Sequence, residues 1–308
     1  MTSTSHPPIL RRRVTIAFDP AKAKGWHLTS KEIEDFLNAI SYVFPPGEKF
    51  FIQSVQNYQD HITDPVLQDQ VKRFIYQEAM HTKEHARCND VLDAAYPHGH
   101  EIEEFTAKML ALNSRVLPKS WQLASTCALE HFTAILADGL LRTQEKFIAE
   151  SDPAFASLWL WHAVEEAEHK AVCFDVYQHV CGKGVFSYLR RVGAMAMITV
   201  SFLITVFVAG RAVKKTSHSG AQLAASKPAD DSVPRHSAWH VLKEVVSPRL
   251  YFDYYRPSFQ PWDHDNVDRI EEWKERYKYF GAGLDVPFAD KSGEDGHAPA
   301  ASGLPERQ

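Results

Sequence analysis

A run of carboxylates and imidazoles inside an apolar segment is the feature that most restricts how this chain can fold. The segment WLWHAVEEAEHKAVCFDVY, residues 159–177, is rich in tryptophan, leucine, valine and phenylalanine, as a buried segment would be. Its middle nevertheless carries His162, Glu165, Glu166, Glu168 and His169. Burial of an unpaired carboxylate is strongly unfavourable unless a positive partner compensates for the lost hydration. The fold must therefore bring a positive group to this segment.

Helical spacing separates these residues into two sets. Positions three, four and seven apart lie on one face of a helix. One polar stripe therefore contains His162, Glu165, Glu166 and His169. Glu168 is expected to point elsewhere. Within the stripe, Glu166 and His169 have the spacing Glu-x-x-His, and Glu165 is an alternative to Glu166.

The same spacing occurs earlier in the chain. In FIYQEAMHTKEH, Glu78 and His81 form a second Glu-x-x-His, and His85 lies one turn further along the stripe. Two isolated carboxylates, Glu48 in PPGEKFFI and Glu130 in STCALEHFTAIL, lie in otherwise apolar helical contexts. Few Lys or Arg residues share these stripes, so a solvated charge stripe or a set of buried ion pairs is disfavoured.

The resulting chain order is Glu, Glu-x-x-His, Glu, Glu-x-x-His, the ligand set with which ferritin-like four-helix bundles hold two metal ions. Two divalent cations would neutralise four carboxylates, and this ligand set favours iron, with zinc and manganese as alternatives. The predicted ligands are Glu48, Glu78, His81, Glu130, Glu166 and His169. His85 and His162 are expected either to bind metal as well or to orient the other ligands.

Helical periodicity dominates the first two thirds of the chain and few segments alternate as strands do, so we expect an all-α, ferritin-like helical bundle. Pro45 and Pro46 are expected to end one helix and begin another. The predicted organisation is an N-terminal arm at 1–28, the bundle with the metal site at 29–183, an apolar helix at 184–213, a linker at 214–235, a small helical and aromatic C-terminal segment at 236–282, and a disordered tail at 283–308.

Residues 193–210, GAMAMITVSFLITVFVAG, contain no charged side chain. At 1.5 Å per residue such a helix is roughly 27 Å long, close to the hydrocarbon thickness of a bilayer. We therefore expect a membrane-spanning or membrane-associated helix and a location at the inner, cytoplasmic membrane. The alternative is a buried helix of a cytoplasmic protein. Basic residues on both sides leave the orientation open.

Composition excludes several classes of protein. The net charge is −5, and there is no zinc-finger spacing or continuous basic stripe, so no nucleic-acid partner is expected. Arg11–Arg13 are expected to be solvated. Four cysteines without a CxxC pair indicate free thiols in a reducing compartment. The N-terminal residues lack the apolar run of a secretory signal. The oligomeric state is left open.

A second motif overlaps the first stripe. HTKEH, residues 81–85, matches His-x-x-Glu-His, an inverted zinc-peptidase signature in which Glu84 would be the general base. This reading leaves the second Glu-x-x-His unexplained unless Glu166 or His169 supplies a third ligand. It is therefore the weaker alternative.

Several longer motifs carry a resemblance to a known family. They are FPPGEKFFI, QEAMHTKEH, ALEHFTAILAD, LWLWHAVEEAEHKAVCFDVY and YYRPSFQPWDHDN. With them the chain resembles a bacterial family described as predicted metal-dependent hydrolases, over about residues 10–280. The resemblance implies a metal enzyme, and less firmly a hydrolase, with the same candidate ligands.

Three functions follow from these patterns. A metal-dependent hydrolase would use Glu165 or Glu84 to carry protons. An oxygen-activating di-iron oxidase or oxygenase fits the ligand set, whereas the family resemblance favours the hydrolase. A non-catalytic metal-binding bundle is the third. If the apolar helix meets a membrane, the substrate is expected to be a small lipophilic molecule.

Overall fold

The computed structural model describes residues 6–220 and 247–277. Within these residues the protein is all-α, as the sequence predicts, and no strand is formed. The helices are α1 (Lys31–Gln56), α2 (Pro65–Leu92), α3 (Gly99–Val116), α4 (Lys119–Arg142), α5 (Gln144–Ala149), α6 (Pro153–His169), α7 (Val172–Cys181), α8 (Val185–Gly220), α9 (Pro248–Asp253) and α10 (Val267–Tyr277). Most of the predicted linker (221–235), parts of the C-terminal segment (236–246 and 278–282) and the predicted tail (283–308) lie outside the described residues.

Side-chain caps fix where the longest bundle helices begin. Ser30, Asp64 and Asp152 each accept a hydrogen bond from a backbone N–H in the first turn of α1, α2 and α6. Pro65 and Pro153 occupy the first turn, where the missing N–H has no cost. These short sequence signals thus set the start of three helices that carry the polar stripes.

The prediction that Pro45 and Pro46 separate two helices is wrong, because α1 runs through both. Proline keeps a helical φ but lacks the N–H that would bond the carbonyl four residues earlier. For Pro45 that carbonyl belongs to Ser41. Asn89 on α2 donates its side-chain amide to this oxygen, with Nδ2 3.1 Å away. The neighbouring helix therefore replaces the bond that Pro45 cannot make.

Two long helical stretches, 119–149 and 153–181, are each divided into two helices. The Thr143 hydroxyl donates to the carbonyl of Gly139 and competes for the helical acceptors at the end of α4. A turn after His169 separates α6 from α7. There the Lys170 ammonium donates to the side-chain oxygen of Asn266 in the C-terminal segment, 2.8 Å away.

Four helices enclose the centre of the protein. α1 packs against α2 and α4, and α6 packs against the same two helices, so α1, α2, α4 and α6 surround one interior. α7 packs on α2 and α4, α10 on α4 and α6, and α3 on α1 and α8. The polar stripes of the four central helices thereby face a common space. The ferritin-like character of this bundle stays a prediction.

The N-terminal arm crosses the bundle as an extended segment with alternate side chains inside. Arg12, Val14 and Ile16 are buried, whereas Arg11 and Arg13 are exposed. The prediction that Arg11–Arg13 are all solvated is therefore wrong for Arg12. Its period-two pattern places it on the inner side with the two aliphatic residues.

Two carboxylates of α6 hold Arg12 inside. Arg12 Nη1 lies 2.9 Å from Glu165 Oε1, and Nη2 lies 2.5 Å from Glu168 Oε1. Glu168 belongs to none of the metal-binding groups among the described residues, but it is buried and shares Arg12 with Glu165. An arginine far away in the sequence supplies part of the positive charge that α6 requires.

Helix α8 has one packed face and one exposed apolar face. It packs on α4, α3 and α1, and Ala194, Met195 and Ile198 are buried there. On the opposite side Leu203 and Phe207 are 62% and 64% exposed. The stretch Val185–Ala212 is long and apolar enough to cross a membrane, but only 28% of its most apolar window is buried. The helix continues to Gly220, beyond the predicted end at residue 213.

Replacement of Arg12 by methionine should destabilise the protein strongly. The change leaves Glu165 and Glu168 buried without their guanidinium partner, and loss of one member of a buried ion pair costs about 3–5 kcal/mol. Urea denaturation should show this decrease in the free energy of unfolding. Arg13→Met, the matched change at an exposed neighbour, should stay within about 0.5 kcal/mol of the parent protein. Equal effects of the two changes would contradict the buried role of Arg12.

Candidate metal centre

Eight buried side chains meet between the four central helices, and together they form what we call the Glu/His cluster. Its members are Glu48 from α1, Glu78, His81 and His85 from α2, Glu130 from α4, and His162, Glu166 and His169 from α6. Each is at most 3% exposed. The structure thus brings together all the residues that the sequence predicts as metal ligands.

The ligand atoms of the cluster are close enough to share cations. Four groups of three residues have one ligand atom each within 4.8 Å of the others. These are Glu48–His85–His162, His81–His162–Glu166, Glu48–Glu78–His81 and Glu78–Glu166–His169. The first and last groups share no residue. Glu130 belongs to none of them, but its Oε2 lies 3.6 Å from His169 Nε2.

Unsatisfied polar atoms test whether the cluster fits a metal. Both oxygens of Glu48, Glu78 and Glu130 and one oxygen of Glu166 are buried and accept no hydrogen bond. Within the described residues, the salt-bridge contacts of these four carboxylates are made by histidines, with no lysine or arginine. Buried oxygens without partners are strongly unfavourable, and a divalent cation would bind them. The donor set therefore fits a metal.

Burial and mutual repulsion oppose ionisation of three carboxylates. Loss of hydration, reinforced by the nearby Glu78, raises the pKa of Glu48 well above its usual value. Burial raises the pKa of Glu78 to about 7, although His169 opposes the shift. Burial and the charge of Glu166 raise the pKa of Glu130. A proton is therefore the competitor of a cation at these oxygens.

Glu166 and His169 behave in the opposite way, because each stabilises the charge of the other. Burial is the largest effect on Glu166 and opposes its ionisation, but His169 and His162 together lower its pKa well below the usual value. Burial likewise opposes a charge on His169, yet Glu166 and Glu78 raise the pKa of that imidazole. In the absence of a cation, the proton on His169 supplies part of the positive charge that these carboxylates require.

Hydrogen bonds on the outer side of two histidines select the nitrogen that faces the cluster. Glu165 Oε2 lies 3.0 Å from His81 Nε2, so this nitrogen donates and leaves a lone pair on Nδ1. Gln77 Oε1 accepts from His169 Nδ1 at 2.8 Å, so Nε2 is the nitrogen that would bind a cation in place of its proton. Neither His81 Nδ1 nor His169 Nε2 has a hydrogen-bond partner. Both rings thus present a free nitrogen for metal binding.

Arg12 connects these two outer partners. It donates to Glu165 and Glu168, and Glu168 Oε2 also accepts from Gln77 Nε2 at 3.0 Å. Gln77 Nε2 also donates to the carbonyl of Leu10 in the arm. Because both protons of its amide nitrogen are directed outward, the Gln77 oxygen must accept from His169. The N-terminal arm therefore fixes the orientation of two candidate ligands.

A second chain of hydrogen bonds fixes His85 and His162. Since Asn89 Nδ2 donates to the Ser41 carbonyl, its Oδ1 accepts from the Ser41 hydroxyl at 2.6 Å. Ser41 Oγ then accepts from His85 Nδ1 at 2.9 Å, and His85 Nε2 accepts from His162 Nδ1 at 2.7 Å. The remaining nitrogen, His162 Nε2, lies 3.0 Å from Glu166 Oε1.

This chain leaves two acceptors facing each other. In a neutral His162 whose Nδ1 donates to His85, the Nε2 carries a lone pair, and the ionised Glu166 also offers only lone pairs. Such a contact is repulsive unless His162 gains a proton or a cation bridges the two atoms. The geometry of this pair is thus a second observation that fits a metal.

The two carboxylates predicted to carry protons lie outside the cluster. Glu165 uses one oxygen for Arg12 and the other for His81. Glu84, the proposed base of the HTKEH motif, accepts from the Ile16 N–H at 3.0 Å and from Arg87 at 2.7 Å. It belongs to none of the metal-binding groups among the described residues. Their catalytic roles stay predictions.

Four residues that support the Glu/His cluster are not among the candidates that the sequence indicates. They are Arg12, Gln77, Ser41 and Asn89. Asn89 lies four residues after His85, so extension of the α2 stripe by one turn would have identified it. Gln77 lies four residues before His81, so extension of the same stripe by one turn in the other direction would have identified it as well. Ser41 and Arg12 come from other segments, and only the tertiary contacts connect them to the cluster.

An apolar cavity of about 380 Å³ reaches the cluster, and we call it the main cavity. It lies between α1, α4, α5, α6 and α8, and its inner end is formed by His162 and Glu166. Most of the lining is aliphatic or aromatic: Ile33, Phe36, Leu37, Ile40, Phe44, Leu136, Ala137, Leu140, Phe147, Trp159, Ala163 and Val206. Its volume lies in the range of small-molecule sites.

A second apolar cavity of about 240 Å³, the side cavity, lies between α1, α3, α4 and α8. It shares Ile40, Phe44, Thr133 and Leu136 with the main cavity. The side cavity contains no member of the cluster. Helix α8 therefore lies over a groove between α1 and α4, of which one part leads to the candidate metal centre.

Fold and site together define an all-α protein with buried Glu and His groups suited to a divalent metal. The chain belongs to the family of predicted metal-dependent hydrolases, whose family profile matches residues 10–265. No curated protein and no solved structure matches it at a significant level.

Gln77→Met should weaken metal binding although every candidate ligand remains. Without the amide, His169 loses the hydrogen bond that orients its ring, and loss of such an outer partner costs about 10–100-fold in metal affinity. Competition of the purified protein with a chromophoric chelator for Zn²⁺ would measure the change. Gln53→Met, at an exposed position of α1, is the matched control and should bind as the parent does. Unchanged affinity in Gln77→Met would contradict the orienting role.

Metal affinity should fall as the pH falls through about 7. The raised pKa of Glu78, about 7, means that the metal-free side chain is protonated below this pH and ionised above it. A cation must then displace the proton, so affinity should decrease about tenfold for each pH unit below the pKa. The same competition titration at several pH values gives the slope. Affinity that is constant across this range would show that the cation displaces no proton from Glu78.

Proposed function

We propose that the protein is a metal-dependent hydrolase with a dinuclear centre in the Glu/His cluster. The observation that carries this proposal is the set of buried carboxylate oxygens without hydrogen-bond partners at the end of an apolar cavity. Membership of the family supports hydrolysis as the reaction class. The two groups that share no residue, Glu48–His85–His162 and Glu78–Glu166–His169, support two ions.

The residues named above would hold the cations through carboxylate oxygens and through the imidazole nitrogens of His81 and His169 that have no hydrogen-bond partner. A cation at Glu48–His85–His162 would replace the hydrogen bond between the two histidines. A bound divalent cation lowers the pKa of a water ligand and polarises the group to be cleaved. The fully buried walls exclude bulk water, so that electrostatic interactions in the site are strong. Glu48, Glu78, Glu130 and Glu166 supply four negative charges, which two divalent cations would balance.

The protein's own groups can also orient water and carry protons. Glu166 Oε2 accepts no hydrogen bond, and Glu166 lines the main cavity, so this oxygen is well placed to accept a hydrogen bond from the attacking water and to orient it. Glu165 contacts the cluster through His81, and we retain it as a proton carrier. Glu84 lacks such a contact, and we assign it to binding the N-terminal arm at Ile16.

The apolar lining of the main cavity favours a lipophilic substrate. Helix α8, which lines both cavities and exposes Leu203 and Phe207, supports association with a membrane. Exposed apolar surface of this kind is typical of membrane or protein interaction sites. We therefore propose a membrane-associated enzyme at the inner membrane, with a cytoplasmic location as the alternative.

One observation favours a second candidate, oxygen activation by a di-iron centre. The cluster contains four glutamates and the two Glu-x-x-His pairs that carboxylate-bridged di-iron bundles use. The apolar interior would protect reactive oxygen species from water. Metal identity separates the two candidates.

Metal analysis and activity together test the proposal. The purified protein should contain about two divalent ions per chain and hydrolyse p-nitrophenyl esters. Glu78→Gln and Glu166→Gln should lose metal and at least about 100-fold of the activity, more than an outer residue would cost. Glu104→Gln, at an exposed position of α3, is the control. Iron with oxygen consumption and no ester cleavage would contradict the hydrolase and support the second candidate.

A further inference from the structure

The main cavity has a shape and polarity that select one class of substrate. We propose that the enzyme cleaves carboxylic esters of straight-chain fatty acids, whose acyl chain lies in the main cavity with the ester carbonyl at His162 and Glu166. This inference rests on the proposed hydrolytic function. It adds the chemical class of the substrate, its orientation and the residues that limit its length.

The lining of the cavity follows two helices lengthwise. On α1 it contains Ile33, Phe36, Leu37, Ile40 and Phe44, which recur at intervals of one to four residues. At 1.5 Å per residue this stripe is roughly 16 Å long. On the opposite wall α4 contributes a matching stripe from Thr133 to Leu140. A long space between two parallel walls accommodates an extended chain better than a compact ring system.

Between its two ends the cavity offers a substrate no polar group that still needs a hydrogen bond. Thr133 and Thr143 line the middle and the outer part, but their hydroxyls donate to helix carbonyls and are already satisfied. Charged side chains at the outer end include the exposed Glu32 and Lys146. A hydrocarbon segment therefore matches the space between the two ends, because it requires no hydrogen bond there.

The inner end is where a reacting carbonyl would meet the cluster. His162 and Glu166 are the cluster members that line the main cavity. The Phe44 ring lies 4.5 Å from the His162 ring and 4.7 Å from the His85 ring, between the imidazoles and the apolar space. The polar part of a substrate thus fits at His162 and Glu166, and its chain extends past Phe44 toward Ile33.

Helix α8 offers an apolar way in. Val206 lines the cavity and is still 41% exposed, and Leu203 and Phe207 continue the exposed apolar surface on either side. A fatty-acyl chain could pass along this surface into the cavity without crossing a charged rim. The same surface supports membrane association, so a substrate held in the membrane would lie next to the entrance of the main cavity.

The reaction needs no further co-reactant. The oxygen of water forms a bond to the acyl carbon, and the bond between that carbon and the alcohol oxygen breaks. One proton of the water leaves with the alcohol, and the products are a fatty acid and an alcohol.

Two tryptophan substitutions should shorten the cavity at different depths. Leu136 is one of the residues that both cavities share, whereas Leu140, one turn nearer the outer end, lines the main cavity and not the side cavity. With p-nitrophenyl butyrate, octanoate, laurate and palmitate, Leu136→Trp should reduce kcat/KM at least tenfold for all but butyrate. Leu140→Trp should cause that loss for laurate and palmitate while octanoate is cleaved normally.

Matched controls identify the cavity. Leu189→Trp changes an exposed residue of α8 that lines neither cavity, and it should leave the chain-length profile unchanged. Leu112→Trp alters the side cavity alone. A profile shortened by Leu112→Trp and unaffected by Leu140→Trp, which alters the main cavity and not the side cavity, would overturn the assignment to the main cavity. Ester cleavage with the same profile in every variant would overturn the inference and leave the hydrolase intact.

Binding provides a measurement that is independent of activity. Equilibrium dialysis with radiolabelled laurate should show binding to the parent protein and at least tenfold weaker binding to Leu136→Trp and Leu140→Trp. If laurate binds in this pattern but no ester is cleaved, the chain site stands and the proposed hydrolysis fails. If laurate does not bind to the parent protein, the fatty-acyl substrate is excluded.

Discussion

Glu48, Glu78, Glu130 and Glu166 meet in a space from which water is excluded, and their mutual repulsion governs how the rest of the bundle is built. No lysine or arginine among the described residues pairs with them. Their charge must be balanced by protons or by cations, and the free imidazole nitrogens favour cations. Metal binding and folding should therefore be coupled, since the folded chain alone brings these oxygens together.

The positive charge that the protein itself supplies lies outside the Glu/His cluster, on Arg12. Arg12 neutralises Glu165 and Glu168, and these carboxylates in turn act on His81 and, through Gln77, on His169. This arrangement separates two tasks. The basic side chain stabilises the outer carboxylates, and the inner ones stay available for metal. The N-terminal arm, which lies far from the ligands in the sequence, is thereby part of the site.

Sequence spacing placed six of the eight cluster residues on two helix faces, because helical geometry converts intervals of three and four into a shared face. Glu48 and Glu130 were indicated instead by the apolar residues around them. The all-α class and the apolar α8 followed from periodicity and composition in the same way. Arg12 and the continuity of α1 could not be predicted. Both depend on contacts between distant segments: Arg12 on carboxylates of α6, and Pro45 on an amide of α2. The cavity depends on packing of α8 over two helices, which no local pattern encodes.

Pro45 removes one backbone hydrogen bond from α1 and at the same time orders the protons of the site. Its missing N–H leaves the Ser41 carbonyl to Asn89, and that bond sets the direction of every proton from Ser41 through His85 to His162. An alanine there would complete the backbone ladder of α1 and favour the helix. It would also release Asn89 to rotate, so that the proton order of the chain would no longer be defined. The missing N–H of Pro45 thus determines which nitrogens of His85 and His162 carry a proton. A more regular α1 would make the site less well defined.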